Sequence, residues 1–416
     1  MRVLFVTSDW AGHYFCMVPL GWALQAAGHQ VRVACAPPQQ SAVERTGLVA
    51  VPVLESVDMV TMGRMFRYLD SVAGNRPGMP LHPYTGRQVA SLDEFDVAAE
   101  LPAFQRRAYG AIRRSYDGAV SLGRRLRPDL VVHDLTAPEG ALIAQLTGCP
   151  SLYHPPGLFG TAETEAGVDL GDGDPSDSFA RYGRPRWHQS HARYVVDLSP
   201  DEALPPVGPA LRIPARYVPY NGPGEVPDWL RRPRGGPRVV VMVSRSVAME
   251  TGQEPLPRQV VDALLSQGAE VVLTTSRAQA EVLGPLPEAV RVLHDFPFKL
   301  LMESADAVVH QGSSNALLTA AVYGVPQLAL AYTQDGKVTS RRIADTGAAV
   351  ALDVLRTDPA EAARAALEVL VSPGRRAAAD RLRASMARRP SPAELVPALE
   401  LLARTGTLGT DDLPVR

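Results

Sequence analysis

The chain has 416 residues, a formal net charge of -2 and 46% hydrophobic side chains, enough for two domains of ordinary size that each bury a core. That charge nominates neither a nucleic acid nor an anionic membrane as partner, and no run reaches the roughly 20 apolar residues of a spanning helix. Cys16, Cys35 and Cys149 lie far apart in apolar surroundings, with no metal or redox spacing, which suits buried thiols in a reducing cytoplasm.

The amino terminus opens with a strand pattern and no basic region followed by a long apolar stretch, so a soluble, unexported protein is expected. Val3–Val6 is a continuous apolar run of the kind buried on both faces of a parallel sheet, and the loop Ser8-Asp9-Trp10-Ala11-Gly12-His13 leaves it. A helix over Phe15–Ala27, closed by Gly28, and a strand over Val31–Ala34 complete a βαβ start. Ligands of such sheets sit beyond the carboxyl ends of the strands, which is where His13 falls. The G-x-G-x-x-G spacing of a dinucleotide fingerprint is missing, so this is not an NAD site.

Residues 56–100 have poor periodicity and read as loops and short helices over a binding cleft. A helix over Ala103–Leu126 leads to the strand Leu130-Val131-Val132-His133, which ends in Asp134. A helix Pro138–Thr147, a stop at Gly148 and a strand Ser151–Tyr153 continue the alternation. His133 lies on the opposite strand face from Asp134 and suits packing. Segment 160–183 is rich in Gly, Asp and Ser and reads as a mobile, solvated surface loop, its acidic residues lacking the spacing of a calcium site. The Pro- and Gly-rich stretch 204–237 carries the domain boundary.

Alternation restarts with strand Arg238–Val243, the turn Ser244-Arg245-Ser246, helix Gln259–Gln267, strand Val271–Thr274, helix Arg277–Leu283 and strand Val290–Leu293. Ala307–His310 then runs into Gln311-Gly312-Ser313-Ser314-Asn315 and a helix to Tyr323. A strand that opens a helix through small residues aims backbone N–H groups and a helix dipole at one point, which suits a diphosphate. Gly312 allows close approach, while Ser313, Ser314 and Asn315 can cap the helix or donate to phosphate. Gly324-Val325-Pro326-Gln327, strand Leu328–Ala331, Asp335, helix Val338–Asp345 and a strand near Ala348–Leu352 follow, with Arg/Ala-rich helices to about Arg404. The expected fold is α/β, two Rossmann-like parallel sheets facing a cleft, with His13 and Asp134 on one wall and residues 310–316 on the other.

Gly12-His13, Pro128–Asp134, Tyr217–Pro223 with Pro227–Leu230, and Val308–Ala316 through Gly324-Val325-Pro326-Gln327 to Asp335 occur in the order and spacing of a known family. The chain resembles bacterial glycosyltransferases of the two-Rossmann-domain GT-B fold that attach nucleotide-activated sugars to natural products such as macrolides and aromatic polyketides, especially those using TDP-deoxysugars. The resemblance implies residues 1–216 as acceptor domain, 217–237 as linker, 238–390 as nucleotide-sugar domain and 391–416 as a helix and tail returning to the first domain. It implies His13 as the general base that deprotonates an acceptor hydroxyl during inverting attack, with Asp134 orienting the imidazole; the lesser alternative is that Asp134 merely caps the helix from Pro138 or the turn before it. Ser244, Arg245, Ser246, Phe296, His310, Gln311, Gly312, Ser313, Ser314, Asn315, Asp335 and Gly336 fall on the nucleotide-sugar side. Trp10, Tyr14 and Phe15 could line an aglycone site, or simply pack a helix face. Asp9 is a second carboxylate near His13, for which a turn role is the simpler reading.

No metal or other cofactor is implied, because a helix N-terminus and neutral donors can hold the leaving diphosphate. A small-molecule aglycone and a nucleotide sugar are the expected partners; the family also leaves room for a homodimer and an activator protein. The chain departs from its usual pattern where Gln311 stands for a second histidine, Ser313 for a second glycine, Ser244-Arg245-Ser246 for a glycine and a threonine or serine, and Gly336 for a glutamine that binds sugar hydroxyls. Gly336 fits a donor with fewer hydroxyls, or loss of sugar binding; Arg245, in place of a small residue, could pair with phosphate or lie exposed. The competing functions are a catalytically weakened relative that binds nucleotide or assists another transferase, and a nucleotide-sugar epimerase, which leaves the 56–100 segment without a use.

Overall fold

Runs such as Val3-Leu4-Phe5-Val6 and Val239-Val240-Val241 have no polar face to offer water, so they settle inside parallel sheets covered on both sides. The computed structural model describes residues 1–75, 78–171, 174–243, 255–283 and 285–414. It contains two such sheets. The first joins β1 (Arg2–Val6), β2 (Gln30–Cys35), β3 (Val49–Pro52), β4 (Leu130–His133), β5 (Ser151–Tyr153), β6 (Tyr194–Asp197) and β7 (Leu211–Pro214) in the order β3-β2-β1-β4-β5-β6-β7. The second joins β8 (Arg238–Met242), β9 (Glu270–Thr275), β10 (Arg291–His294), β11 (Ala307–His310), β12 (Gln327–Ala331) and β13 (Ala349–Asp353) in the order β10-β9-β8-β11-β12-β13. Pairing among these strands is parallel throughout.

In each sheet the chain reverses its direction of travel at a central strand. β4 lies on the other side of β1 from β2, and β11 on the other side of β8 from β9. A crevice opens at the carboxyl ends of such a pair, and ligands of open α/β sheets bind there. The loops after β1 and β4, and after β8 and β11, are therefore the ones that can build a site.

One face of the first sheet, with Val3, Phe5 and Val132, packs with Leu24 and with Leu395, Leu399 and Leu402 of the helix Pro392–Thr405. The other face, with Leu4, Val6 and Val131, meets Ala119 and Leu122 of the helix Val97–Leu126 and Ile143 of the helix Glu139–Thr147. Helix Pro392–Thr405 starts with a reciprocal Ser391–Glu394 capping box. It crosses to the first domain, where Glu400 lies 2.9 Å from His29. No helix among the described residues is long and apolar enough to cross a membrane.

Several expected elements shift. The helix expected over Phe15–Ala27 is two, Ala11–Phe15 and Val18–Ala26, because Pro19 lacks the N–H that would continue the first and sits in the opening turn of the second. Segment 56–100 holds a helix Met59–Val72 capped by Asp58, and the helix expected from Ala103 starts at Val97, under an Asp96 cap. A helix expected from Val338 begins at Gln334, because the Thr333 hydroxyl accepts from the Gly336 N–H and nucleates it earlier.

Segment 160–183 corrects the expectation of a mobile loop. Glu163, Val168, Asp174, Ser176, Ser178 and Phe179 are buried. Asp174 accepts from the backbone of Ser176 at 3.0 Å and of Phe179 at 2.9 Å. The correction holds for Glu163 and Asp174, while Glu165 and Asp169 are exposed as expected.

Candidate active site

The first wall is built where β1 and β4 end side by side. Asp134, immediately after β4, is wholly buried. One of its oxygens accepts from the Ser8 backbone N–H at 2.6 Å and the other from that of Thr136 at 2.8 Å. His13 sits on the five-residue helix after the β1 loop, and its Nδ1 lies 3.1 Å from Ser8 Oγ and 3.2 Å from Thr136 Oγ1. The direct carboxylate–imidazole contact implied by the resemblance is thus absent. Each carboxylate oxygen accepts one backbone N–H, from Ser8 and from Thr136, and the hydroxyls that meet His13 Nδ1 belong to the same two residues. His13 Nε2 has no protein partner among the described residues. Behind Asp134, the Glu139 carboxyl is pushed up to about 8, first by burial and then by the Asp134 and Asp174 charges, so it is mostly protonated at neutral pH.

The neighbouring aromatics divide. Trp10 is half-buried, and its carbonyl accepts the His13 N–H at 3.0 Å, opening the short helix. Tyr14 does not face the cleft: it is fully buried in the core and its hydroxyl meets Thr46 Oγ1 at 2.8 Å. One residue on a helix turns the side chain by about 100°, which carries Tyr14 inward from His13. Phe15 is half-buried with its ring edge-on to Tyr220, 5.3 Å between centroids. Asp9 accepts from Ser56 Oγ, which ties the 56–100 segment to the His13 loop. His133 is buried against Tyr153 and Trp187, and burial pushes its pKa down to about 4.

The second wall starts at the end of β11. Gly312 has φ 77°, and a Cβ there would lie 2.4 Å from Ser340 Oγ, so this position requires glycine. Ser313 is the N-cap of the helix Ser314–Tyr323, is exposed, and makes no side-chain cap bond. The first N–H groups of such a helix have no intrahelical acceptor, and the exposed Ser313 lies beside them. Gln311 and Ser314 are nearly buried beside it. His310, expected to face the nucleotide, is instead fully buried behind the loop. Its Nδ1 accepts from the Gly312 N–H at 3.0 Å, and its Nε2 donates to Gln327 Oε1 at 2.9 Å. Gln327 Nε2 in turn donates to the Leu317 carbonyl at 3.1 Å. Burial pushes His310 down to about 4, and the neutral ring braces the loop from below.

Asn315 is also turned from the expected direction. Its Nδ2 donates to the Gly12 carbonyl on the opposite wall, and its Oδ1 accepts from the Tyr217 hydroxyl at 3.3 Å. Asp335 and Gly336 fall in the first turn of the helix Gln334–Ala344. Asp335 is half-buried with no side-chain partner among the described residues, while a Cβ on Gly336 would crowd Thr333 Oγ1 at 2.9 Å. Phe296 is half-buried against Phe298 and Leu301. Ser244, Arg245 and Ser246 lie outside the described residues.

The 157–171 segment of the first domain closes over this wall. Arg342 pairs with Glu163 at 2.8 Å, and a Cβ on Gly167 would lie 2.5 Å from the Asp335 nitrogen. No cluster of three or more metal-ligating side chains occurs among the described residues. The arrangement places a histidine whose Nε2 has no protein partner among the described residues next to Gly12, which the helix after the Gly312–Ser313 loop meets through Asn315. Ser8, Thr136 and the Asn315–Gly12 contact left no mark in the sequence, being ordinary turn residues. Gln327 did leave one, as an amide leading the apolar run of β12.

The erythromycin biosynthesis protein CIII-like family matches both halves of the chain, its N-terminal domain over residues 22–244 and its C-terminal domain over residues 244–402. The chain is 34% identical to an L-demethylnoviosyl transferase of Streptomyces niveus, covering 98% of this chain and 100% of that one. It is 31% identical to the 10-deoxymethynolide desosaminyltransferase of Streptomyces venezuelae (97% of each) and 33% to the TDP-daunosamine transferase DnrS of Streptomyces peucetius (97% of each). Among solved structures, glycosyltransferase VinC in complex with dTDP superposes with a TM-score of 0.73 at 26% identity, over 97% of this chain and 100% of that one. The spinosyn rhamnosyltransferase SpnG complexed with thymidine diphosphate does so with a TM-score of 0.73 at 25% identity, over 96% and 100%.

Proposed function

The chain belongs to the erythromycin biosynthesis protein CIII-like family of GT-B glycosyltransferases, and from that premise we propose that it transfers a deoxysugar from a TDP donor to a hydroxyl of a polyketide-type aglycone, with inversion. The observation that carries this reading is His13: its Nδ1 meets Ser8 and Thr136, its Nε2 has no protein partner among the described residues, and the neighbouring Gly12 is bonded to Asn315 of the helix after the Gly312–Ser313 loop. Nδ1–H donating to those hydroxyls leaves Nε2 as the acceptor of a proton. The acceptor hydroxyl gives its proton to Nε2 while its oxygen attacks the anomeric carbon from the face opposite the diphosphate. The C–O bond to the diphosphate breaks, and the N–H groups opening the helix Ser314–Tyr323 receive the charge, so the reading needs no metal. Asp134 favours the imidazolium from behind Ser8 and Thr136. Residues 1–216 hold the acceptor, 238–390 hold the donor, 217–237 join them, and 391–416 return to the first domain.

The names of the relatives, all deoxysugar transferases, support the donor class. Gly336 suits a donor with few hydroxyls. In the test, His13→Ala lowers O-transfer by about 10²-fold or more, while calorimetric binding of thymidine diphosphate is retained. Unchanged turnover would remove His13 as the base. A second reading, a catalytically weakened relative that assists another transferase, is favoured by His310 being turned under the loop and by the Asn315 amide being spent on the Gly12 carbonyl. Absence of thymidine diphosphate binding at millimolar concentration would support it.

A further inference from the structure

The two walls of the cleft are tied through Asn315. This residue lies in the first turn of the helix Ser314–Tyr323, to whose opening N–H groups the proposed function assigns the donor diphosphate. Its Nδ2 reaches across the cleft to the carbonyl of Gly12, the residue before His13. Its Oδ1 and its backbone carbonyl both lie 3.3 Å from the Tyr217 hydroxyl, which also lies 3.1 Å from Thr319 Oγ1, one turn along the same helix. Tyr217 is buried at the start of the connection between the domains. The amide is therefore aimed from one end and engaged at the other.

Gly12 supplies the second half of the contact. A Cβ at this position would lie 3.3 Å from Asn315 Nδ2, close enough to push the amide by a few tenths of an ångström. The helix carrying His13, Ala11–Phe15, has only five residues. In so short a helix, carbonyls near the carboxyl end lack internal donors. That of Gly12 takes its donor from the other domain, which fixes the height and rotation of the turn that presents His13.

We propose that Asn315 is a positioning residue for the general base, coupling the donor-binding loop to His13 so that imidazole and anomeric carbon are brought into register as one unit. The inference rests on the reading of His13 as base, and it gives Asn315 a role other than holding the nucleotide. The donor's diphosphate sits on the first turn of a helix whose second residue holds the base's own segment. Displacement of one wall is thereby transmitted to the other.

The test compares Asn315→Leu, Tyr217→Phe and His13→Ala with the unaltered protein, using thymidine diphosphate as the binding probe and a competent donor and acceptor pair for turnover. Asn315→Leu keeps the side chain's shape and removes the amide without adding charge beside the diphosphate. Expected are a kcat loss of about 10-fold to 100-fold, the scale on which misplacement of a catalytic group acts, a thymidine diphosphate affinity within about threefold of the unaltered protein, and displaced His13 ring resonances in the NMR spectrum with no ligand added. Tyr217→Phe should show the same pattern, smaller. Asn315→Leu with unaltered kcat and His13 resonances, alongside an inactive His13→Ala, would overturn the coupling and leave the base reading intact. Loss of nucleotide affinity with kcat unaltered would make Asn315 a donor ligand and also overturn it. An active His13→Ala would remove the base reading and this inference with it.

Discussion

Gln327 and His310 show how buried polar residues can serve a site without touching a ligand. Gln327 accepts from His310 and donates to the Leu317 carbonyl, so the loop, the strand beneath it and the helix beyond are joined by one side chain. Replacing Gln327 with Leu leaves the buried imidazole N–H without a partner, while the Leu317 carbonyl keeps its place in the helical ladder, and a loss of about 1–3 kcal/mol follows, measurable by urea unfolding. His310, His133 and His154 are each pushed down to about 4, with burial the largest cause. Between pH 4 and the unfolded value near ~6.5, the unfolded chain binds more protons at these rings than the folded one. Their contribution to stability is therefore fully present above about pH 6.5 and is lost as pH falls toward 4, by up to roughly 3 kcal/mol for each ring. Urea midpoints should fall between pH 7 and pH 5, and less steeply in His310→Asn. The histidine at the end of β11 was legible in the sequence as part of an anion-loop pattern. Its direction was not, because whether a strand-end ring turns toward the ligand or under the loop depends on the partner that Gln327 supplies from β12.

At the scale of elements, the segment 157–171 reverses its composition. Glycine and acidic residues argue for solvated chain when they have no partners, and here they have them. Glu163, 2% exposed, accepts from the Gly160 N–H at 2.7 Å and pairs with Arg342, which also donates to the Leu158 carbonyl. Glu165 pairs with Arg341 nearby, but these two side chains are 49% and 53% exposed. Glu163→Gln should therefore cost about 3 kcal/mol, since it leaves the Arg342 charge buried without its counter-ion. Glu165→Gln should cost under about 1 kcal/mol. Chemical denaturation of the two variants checks the contrast, and equal costs would mean that Arg342 finds water when Glu163 is neutralised.

For the molecule as a whole, the helix Pro392–Thr405 joins the end of the chain to its beginning. Leu399 is fully buried among residues of β1 and of the helix Val18–Ala26. Leu399→Ala should cost about 2–5 kcal/mol and lower the calorimetric Tm, with amide exchange rising in the first domain as well as in the helix itself. The sequence by itself determined the class of the protein. The apolar runs, their spacing and the glycine stops are local and periodic, and they identify two parallel-sheet domains, the strand ends where a site must lie, and the family. Tertiary structure alone decided which side chains the site contains. Ser8 and Thr136 stand between Asp134 and His13 because β1 and β4 end side by side, 126 residues apart in the chain. Asn315 meets Gly12 because two domains face each other across 303 residues. Such contacts depend on where separate elements come to rest, and a hydrogen bond between ordinary turn residues leaves no periodic signal in the chain.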